Sequence, residues 1–175
     1  GVRSGVASNP CTPPSVLIVL AKDRDVEGGE YIRKSVAGNP GTPQAAFNFL
    51  VKDTDWQTRA AIAENISTPE AIFKILAKDK QYSVREKVAR NLGATAGVLE
   101  ILSADKGDQI KFQVARNPNS SADTLTRLAA DPFYATRREV ATNIGTPNSV
   151  LQLLSKDSVQ EVRNAAEKSL GLVKS

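Results

Sequence analysis

The residues of this chain that could do chemistry recur at fixed spacing. A basic residue stands at Arg3, Arg33, Arg59, Arg85, Lys111, Arg137 and Arg163, and from Arg33 onward the step is 26 residues. A carboxylate stands at Asp23, Asp53, Asp79, Asp105, Asp131 and Asp157. In the pairs Asp53–Arg59, Asp79–Arg85, Asp131–Arg137 and Asp157–Arg163 the two lie six apart. At that spacing the Asp closes one helix and the Arg sits in the next, so the pair can bridge the turn between them. Arginine suits this, because its planar fork can hold a carboxylate and main-chain carbonyls together. These eight residues are expected to form a structural ladder. The alternative is an anion site, against which the regular carboxylate partner argues.

Other chemistry is sparse. The chain has no His, which removes the commonest general base and metal ligand. Its one cysteine, Cys11, cannot form a disulfide within the chain or a cysteine cluster for a metal. Cys11 lies in NPCTPP, where it reads as a small connector residue, since nothing basic nearby would activate the thiol. The carboxylate pairs Asp23/Asp25 and Asp53/Asp55 sit at unit ends, where the repeat explains the first of each. No nucleophile–base set or Gly-rich phosphate loop is visible. The expectation is a non-enzyme with no cofactor and no metal.

The elements that must position these residues are short helices in pairs. An Asn follows each basic residue by six, at Asn9, Asn39, Asn65, Asn91, Asn117 and Asn143, with Ser169 in the last place. The first helix of each pair opens on Thr-Pro at 12–13, 42–43, 68–69 and 146–147. Thr is expected to cap that helix and Pro to occupy its first position. Ala94 replaces the Thr in one unit, so that helix should start less firmly. Apolar residues such as Ile72, Phe73 and Leu76 then follow at helical spacing. In the second helix Val84, Val88 and Asn91 share a face, and the Asn is expected to end it in a left-handed turn.

At 175 residues with 5% aromatics, the chain suits one domain whose core is built from Leu, Ile, Val and Ala. That domain, 1–175, has a leading half-repeat at 1–9, repeats at about 12–39, 42–65, 68–91, 94–117, 120–143 and 146–169, and a short C-terminal tail. The stretch DRDVEGGEYIR holds a four-residue insertion that reads as an acidic, flexible loop. The chain opens inside a second-type helix, as expected of a piece of a longer array or of a domain that follows other sequence. No run of about 18 or more apolar residues is present, so no membrane partner is expected. A cytoplasmic location is favoured.

The pattern VRxxVAxNPxTPxxxLxxLAxD resembles the leucine-rich repeat variant family, a HEAT-like helical repeat. DSVQEVRNAAEKSLG is similar to HEAT units generally. The resemblance covers nearly the whole chain. It implies an all-α, right-handed solenoid of alternating short helices, one of them often 3₁₀. It implies no activity. Some relatives carry a cysteine-bound iron–sulfur module, which Cys11 alone cannot supply.

Function is then a matter of surface. Stacked units create an extended concave face, which usually binds protein or peptide. If the second helix lines that face, its exposed slots lie two, three and six residues after its leading Val. Those slots hold the candidate binding residues Lys87, Arg90, Phe112, Arg116, Arg138 and Lys168, interrupted by Glu86 and Glu139. The net charge of +4 permits nucleic acid as the alternative partner, gripped by this basic strip.

Overall fold

The computed structural model describes residues 2–24 and 28–172. Among them are thirteen α-helices, no strand and no 3₁₀ helix. The first helices are α2 (Pro14–Leu20), α4 (Gln44–Leu50), α6 (Glu70–Leu76), α8 (Ala96–Leu102), α10 (Ala122–Leu128) and α12 (Asn148–Leu154). The second helices are α1 (Val2–Ser8), α3 (Gly29–Gly38), α5 (Trp56–Glu64), α7 (Tyr82–Arg90), α9 (Asp108–Arg116), α11 (Tyr134–Thr142) and α13 (Gln160–Ser169). The fold is all-α and made of short two-helix repeats. Contacts divide it into two compact units, Gly1–Ala94 and Thr95–Ser175. In the first, α3 packs against α1 and α5, and α5 against α7. In the second, α11 packs against α9 and α13. The first helices meet one another far less, with α2 against α4 the one substantial pair.

First helices are held by their apolar stripe, because seven residues are too few for helix propensity alone. Ile72, Phe73 and Leu76 are all buried on α6, and Phe47, Leu99 and Leu125 do the same work in their own repeats. Pro43, Pro69 and Pro147 stand at the N-cap with extended ψ of 156°, 147° and 144°. The Thr before each of these is not the cap. Its hydroxyl reaches back to the end of the preceding second helix. Thr68 donates to the Ile62 carbonyl at 2.7 Å, Thr146 to that of Val140 and Ser120 to that of Val114, both at 2.6 Å. A carbonyl in a last helical turn has no amide four residues on to accept from, and this hydroxyl bonds it beside the Asn amide three residues on. Ala94 is fully buried in the same place, and α8 keeps the seven-residue length of its counterparts. Ala94 does not stand at the cap position of α8, which Thr95 occupies, so the capping role expected there does not apply to it.

The Asn residues also depart from expectation. Asn39, Asn65, Asn91, Asn117 and Asn143 end their helices in extended backbone, with φ between −70° and −73°. No residue other than glycine has positive φ among the described residues. The side chain, not the backbone, does the capping, and it does so across repeats. Asn65 donates from Nδ2 to the carbonyls of Ala37 and Asn39 at 2.9 and 2.8 Å. Its Oδ1 accepts from the Ser67 amide at 2.9 Å. Asn39 binds the Ala7 and Asn9 carbonyls, and Asn143 those of Ala115 and Asn117. Ser169 makes the shorter version, donating to Ala141 at 2.6 Å.

Residues 25–27 of the insertion, and its expected acidic loop, lie outside the described residues. Its glycines are structural: Gly28 begins α3 at φ +94°, and a Cβ on buried Gly29 would stand 3.3 Å from the Arg33 guanidinium.

Replacing Asn65 by Ala leaves two buried carbonyls and one amide without this partner, and is expected to cost about 2–4 kcal/mol in urea unfolding. Asn65→Asp, equal in size, should be no better at neutral pH, since it puts a carboxylate against the same carbonyls; a variant as stable as the parent would refute the assignment. Conversely, Ala94→Thr restores the missing hydroxyl and is expected to add about 0.5–1.5 kcal/mol by the same measurement.

Candidate functional site

The ladder is real but its rungs join different residues from those expected. The carboxylate of Asp79 is held by Arg59, at 2.6 Å to Nε and 3.0 Å to Nη2. Arg85, six residues after Asp79, donates to the Asp79 main-chain oxygen at 2.8 Å. The same geometry holds Asp53 by Arg33, Asp131 by Lys111 and Asp157 by Arg137. In turn Arg59, Arg137 and Arg163 donate to the main-chain oxygens of Asp53, Asp131 and Asp157. Each of these four carboxylates thus pairs with the basic residue twenty positions earlier, one repeat back. The spacing of six is real contact, but with the carbonyl. A guanidinium serves both ends at once because Nε and Nη2 face one way and Nη1 another. Lys111 reaches Asp131 at 2.6 Å and Asp108 at 3.2 Å, with both bonds from one ammonium.

These pairs are largely shielded from water: the Arg59 and Asp79 side chains are 7% and 8% exposed. Burial alone would raise the Asp79 pKa. The hydrogen bonds from Arg59 and the Gln81 amide, with the charges of Arg59 and Lys80, outweigh it and hold the carboxyl below its ordinary value. For Asp157 the Arg137 hydrogen bond is the leading cause of the same lowering. Arg59 and Arg137 are correspondingly raised by their bonds to Asp79 and Asp157. Asp79 and Asp157 are thus held charged and neutralised by their partners, which suits a structural role.

On the second-helix face the three slots differ. The slot six after the leading residue is exposed throughout, at Glu64, Arg90, Arg116, Thr142 and Lys168. The slot three after it is not: Ala61 and Gln113 are buried and Glu139 is 14% exposed. Phe112 is half-buried on α9. In the unit Gly1–Ala94, Lys87 is paired with Glu64, and the two line a cleft of about 240 Å³ with Arg90 and Asn91. In the unit Thr95–Ser175, Arg138 is paired with Glu139 at 2.9 Å. Glu64 went unforeseen, although it occupies in its own repeat the slot that Arg90 and Arg116 occupy in theirs.

Tyr31, Trp56, Tyr82 and Tyr134 stand exposed in the first turns of their second helices. Tyr31 and Trp56 line a cleft of about 250 Å³ with Lys34 and Gln57. Cys11 is exposed, its amide bound to Asn9 Oδ1 at 2.9 Å. Among the described residues no cluster of His, Cys, Asp or Glu could hold a metal ion, and no helix is long and apolar enough to cross a membrane.

A double-mutant cycle on Arg59→Ala and Asp79→Ala is expected to give a coupling of about 1–3 kcal/mol at neutral pH. Because folding lowers the Asp79 pKa, the pair's contribution is complete above the unfolded value, near 3.8, and is lost as pH falls through the lower folded one. The coupling should therefore shrink in strong acid; additivity at neutral pH would show that the rung carries no energy.

Comparison with known proteins agrees with this geometry. The family model described as leucine rich repeat variant matches residues 109–133. A solved structure described as a leucine-rich repeat variant with a novel repetitive structural motif is similar at 26% identity and TM-score 0.65, over 93% of this chain and 66% of that one. The chain thus spans just under two thirds of that protein's length. An engineered protein is similar at 17% identity and TM-score 0.46, over 89% of this chain and 94% of that one. A computationally designed armadillo repeat protein for modular peptide recognition follows at 14% and 0.37, over 99% and 91%. No curated protein matches the chain in sequence. Residues 109–133 thus match the leucine rich repeat variant model, and the chain's short two-helix repeats are similar in fold to a solved leucine-rich repeat variant.

Proposed function

We propose that the chain is a non-enzymatic repeat scaffold whose second-helix face binds a protein or peptide. One observation carries this reading. The basic strip expected on that face is partly neutralised from within, Lys87 by Glu64 and Arg138 by Glu139. Arg90 in the unit Gly1–Ala94, and Arg116 and Lys168 in the unit Thr95–Ser175, are exposed and take part in no ion pair among the described residues, and Phe112 of the second unit is half-buried. Mixed charge with a partly apolar floor suits polypeptide, whereas phosphate backbones call for continuous positive potential. The 26-residue step from Arg85 to Lys111 runs on unbroken past Ala94, which supports one repeat domain.

Panning a displayed random-peptide library on the whole chain tests the reading, with Arg90→Glu, Arg116→Glu, Lys168→Glu as the comparison. Enriched peptides should lose at least about tenfold in affinity for the variant. Equal binding to both would place the site elsewhere. Nucleic acid is tested by titrating a labelled duplex and a single strand at low salt. Binding that weakens in Arg90→Gln, Arg116→Gln, Arg138→Gln, with the salt slope falling by roughly one unit per lost phosphate contact, would replace the peptide reading.

A further inference from the structure

We propose that the first-helix side of the unit Gly1–Ala94 is a separate docking surface for an acidic polypeptide segment bearing apolar side chains. The observation is a pair of parallel tracks. Seven residues after each Thr of the repeat stands an outward apolar side chain: Val19, Phe49 and Ile75, exposed by 70%, 45% and 54%. Three residues further, one helical turn on, stands an exposed lysine: Lys22, Lys52 and Lys78. The apolar track runs over α2, α4 and α6 and the cationic track over the turns just past their ends, one apolar and one cationic residue per repeat.

The cationic track is not cancelled by its neighbours. None of these three lysines takes part in an ion pair among the described residues; Lys22 lies over the Phe49 ring, 4.5 Å from its centre. The acids that follow them in sequence, Asp23, Asp53 and Asp79, are turned inward and held by Arg3, Arg33 and Arg59. The one acid on α2, α4 and α6 is Glu70, and it is bound to Lys74 at 2.8 Å. The ladder therefore removes negative charge from this side and leaves the lysines to set its sign.

The repeat fold does not require this arrangement. In the unit Thr95–Ser175 the corresponding positions are Ile101, Arg127 and Leu153, and Ala104, Ala130 and Lys156. Both tracks are broken there, yet the helices have the same lengths. Exposed apolar residues in register, beside unpaired cations in register, mark a surface that a partner covers. Charge complementarity makes that partner acidic, and the apolar track requires apolar side chains within it. A chain lying across the helices meets both tracks along its length. A bilayer favours apolar groups that stand clear of the cations, whereas here an ammonium lies across the only aromatic ring of the track.

The test uses the whole chain and a labelled peptide in which Asp and Glu alternate with Leu and Phe, followed by fluorescence anisotropy. Binding is expected at low salt and should weaken as salt is raised. Lys22→Glu, Lys52→Glu, Lys78→Glu together should lose about tenfold or more. Phe49→Ser with Ile75→Ser should also weaken binding, although no charge changes. Arg90→Gln with Arg116→Gln should leave it unchanged, which separates this surface from the second-helix face. Circular dichroism confirms that each variant is folded. The proposal is overturned if the peptide does not bind, if the lysine variant binds it equally, or if phosphatidylserine vesicles bind through these residues while the peptide does not.

Discussion

A helix of seven to ten residues leaves a large share of its main-chain carbonyls without an intrahelical partner, and in this protein every second helix ends that way. Within each unit, Asn39, Asn65, Asn91 and Asn143 supply donors to the end of the second helix before. The Nδ2 group of Asn65 spans two carbonyls of the repeat before, those of Ala37 and Asn39. Its Oδ1 meanwhile turns its own chain toward the next first helix through the amide two residues on. One side chain thus ends a helix, starts a turn and registers two repeats. That requirement explains why the position is buried and polar, with Asn39 only 2% exposed. The stacking distance of the second helices is set by a hydrogen bond as well as by Ala and Val packing.

The ladder of Arg and Asp makes the same kind of link at the other end of the second helix. Arg33, Arg59 and Arg137 each join the main-chain oxygen of one Asp to the carboxylate of the next, as Arg59 joins Asp53 to Asp79. Within each unit these bonds tie one repeat to the next, so much of the stability of such an array resides in the interfaces. The arrangement also sorts charge. Carboxylates are drawn inside and neutralised there, and the outward faces take their character from what remains: paired Lys and Glu with isolated Arg on the second-helix side, and lysines beside apolar residues on the first-helix side of the unit Gly1–Ala94.

Much of this was legible in the residues. The period, the helix pairs and the buried stripe follow from spacing, because periodicity reports directly on which side chains share a face. What was not legible was partnership across repeats. Asp79 and Arg85 are close in sequence and invite pairing, but the carboxylate turns to Arg59, because the fork of Arg85 is directed at the carbonyl of the same turn. Thr before Pro invites an N-cap reading, yet its hydroxyl bonds a carbonyl six residues back. Asn39 before Pro40 invites a left-handed cap, yet the backbone is extended and the amide does the work. In each case a local rule was overridden by a group belonging to the adjacent turn or repeat. The second-helix face was misjudged for the same reason: Lys87 was read within its own helix, and its partner Glu64 stands on the helix before.

The central claim is that Asn side chains carry the link between repeats, and side-chain amide hydrogen exchange followed by NMR tests it most directly. The Nδ2 protons of Asn39, Asn65 and Asn143 each donate to two main-chain carbonyls of the preceding repeat. They should exchange at least about a hundredfold more slowly than those of exposed Asn48 and Asn148, opening only when neighbouring repeats separate. Exchange at the rate of Asn48 would contradict the account, and would leave apolar packing alone to hold the repeats in register.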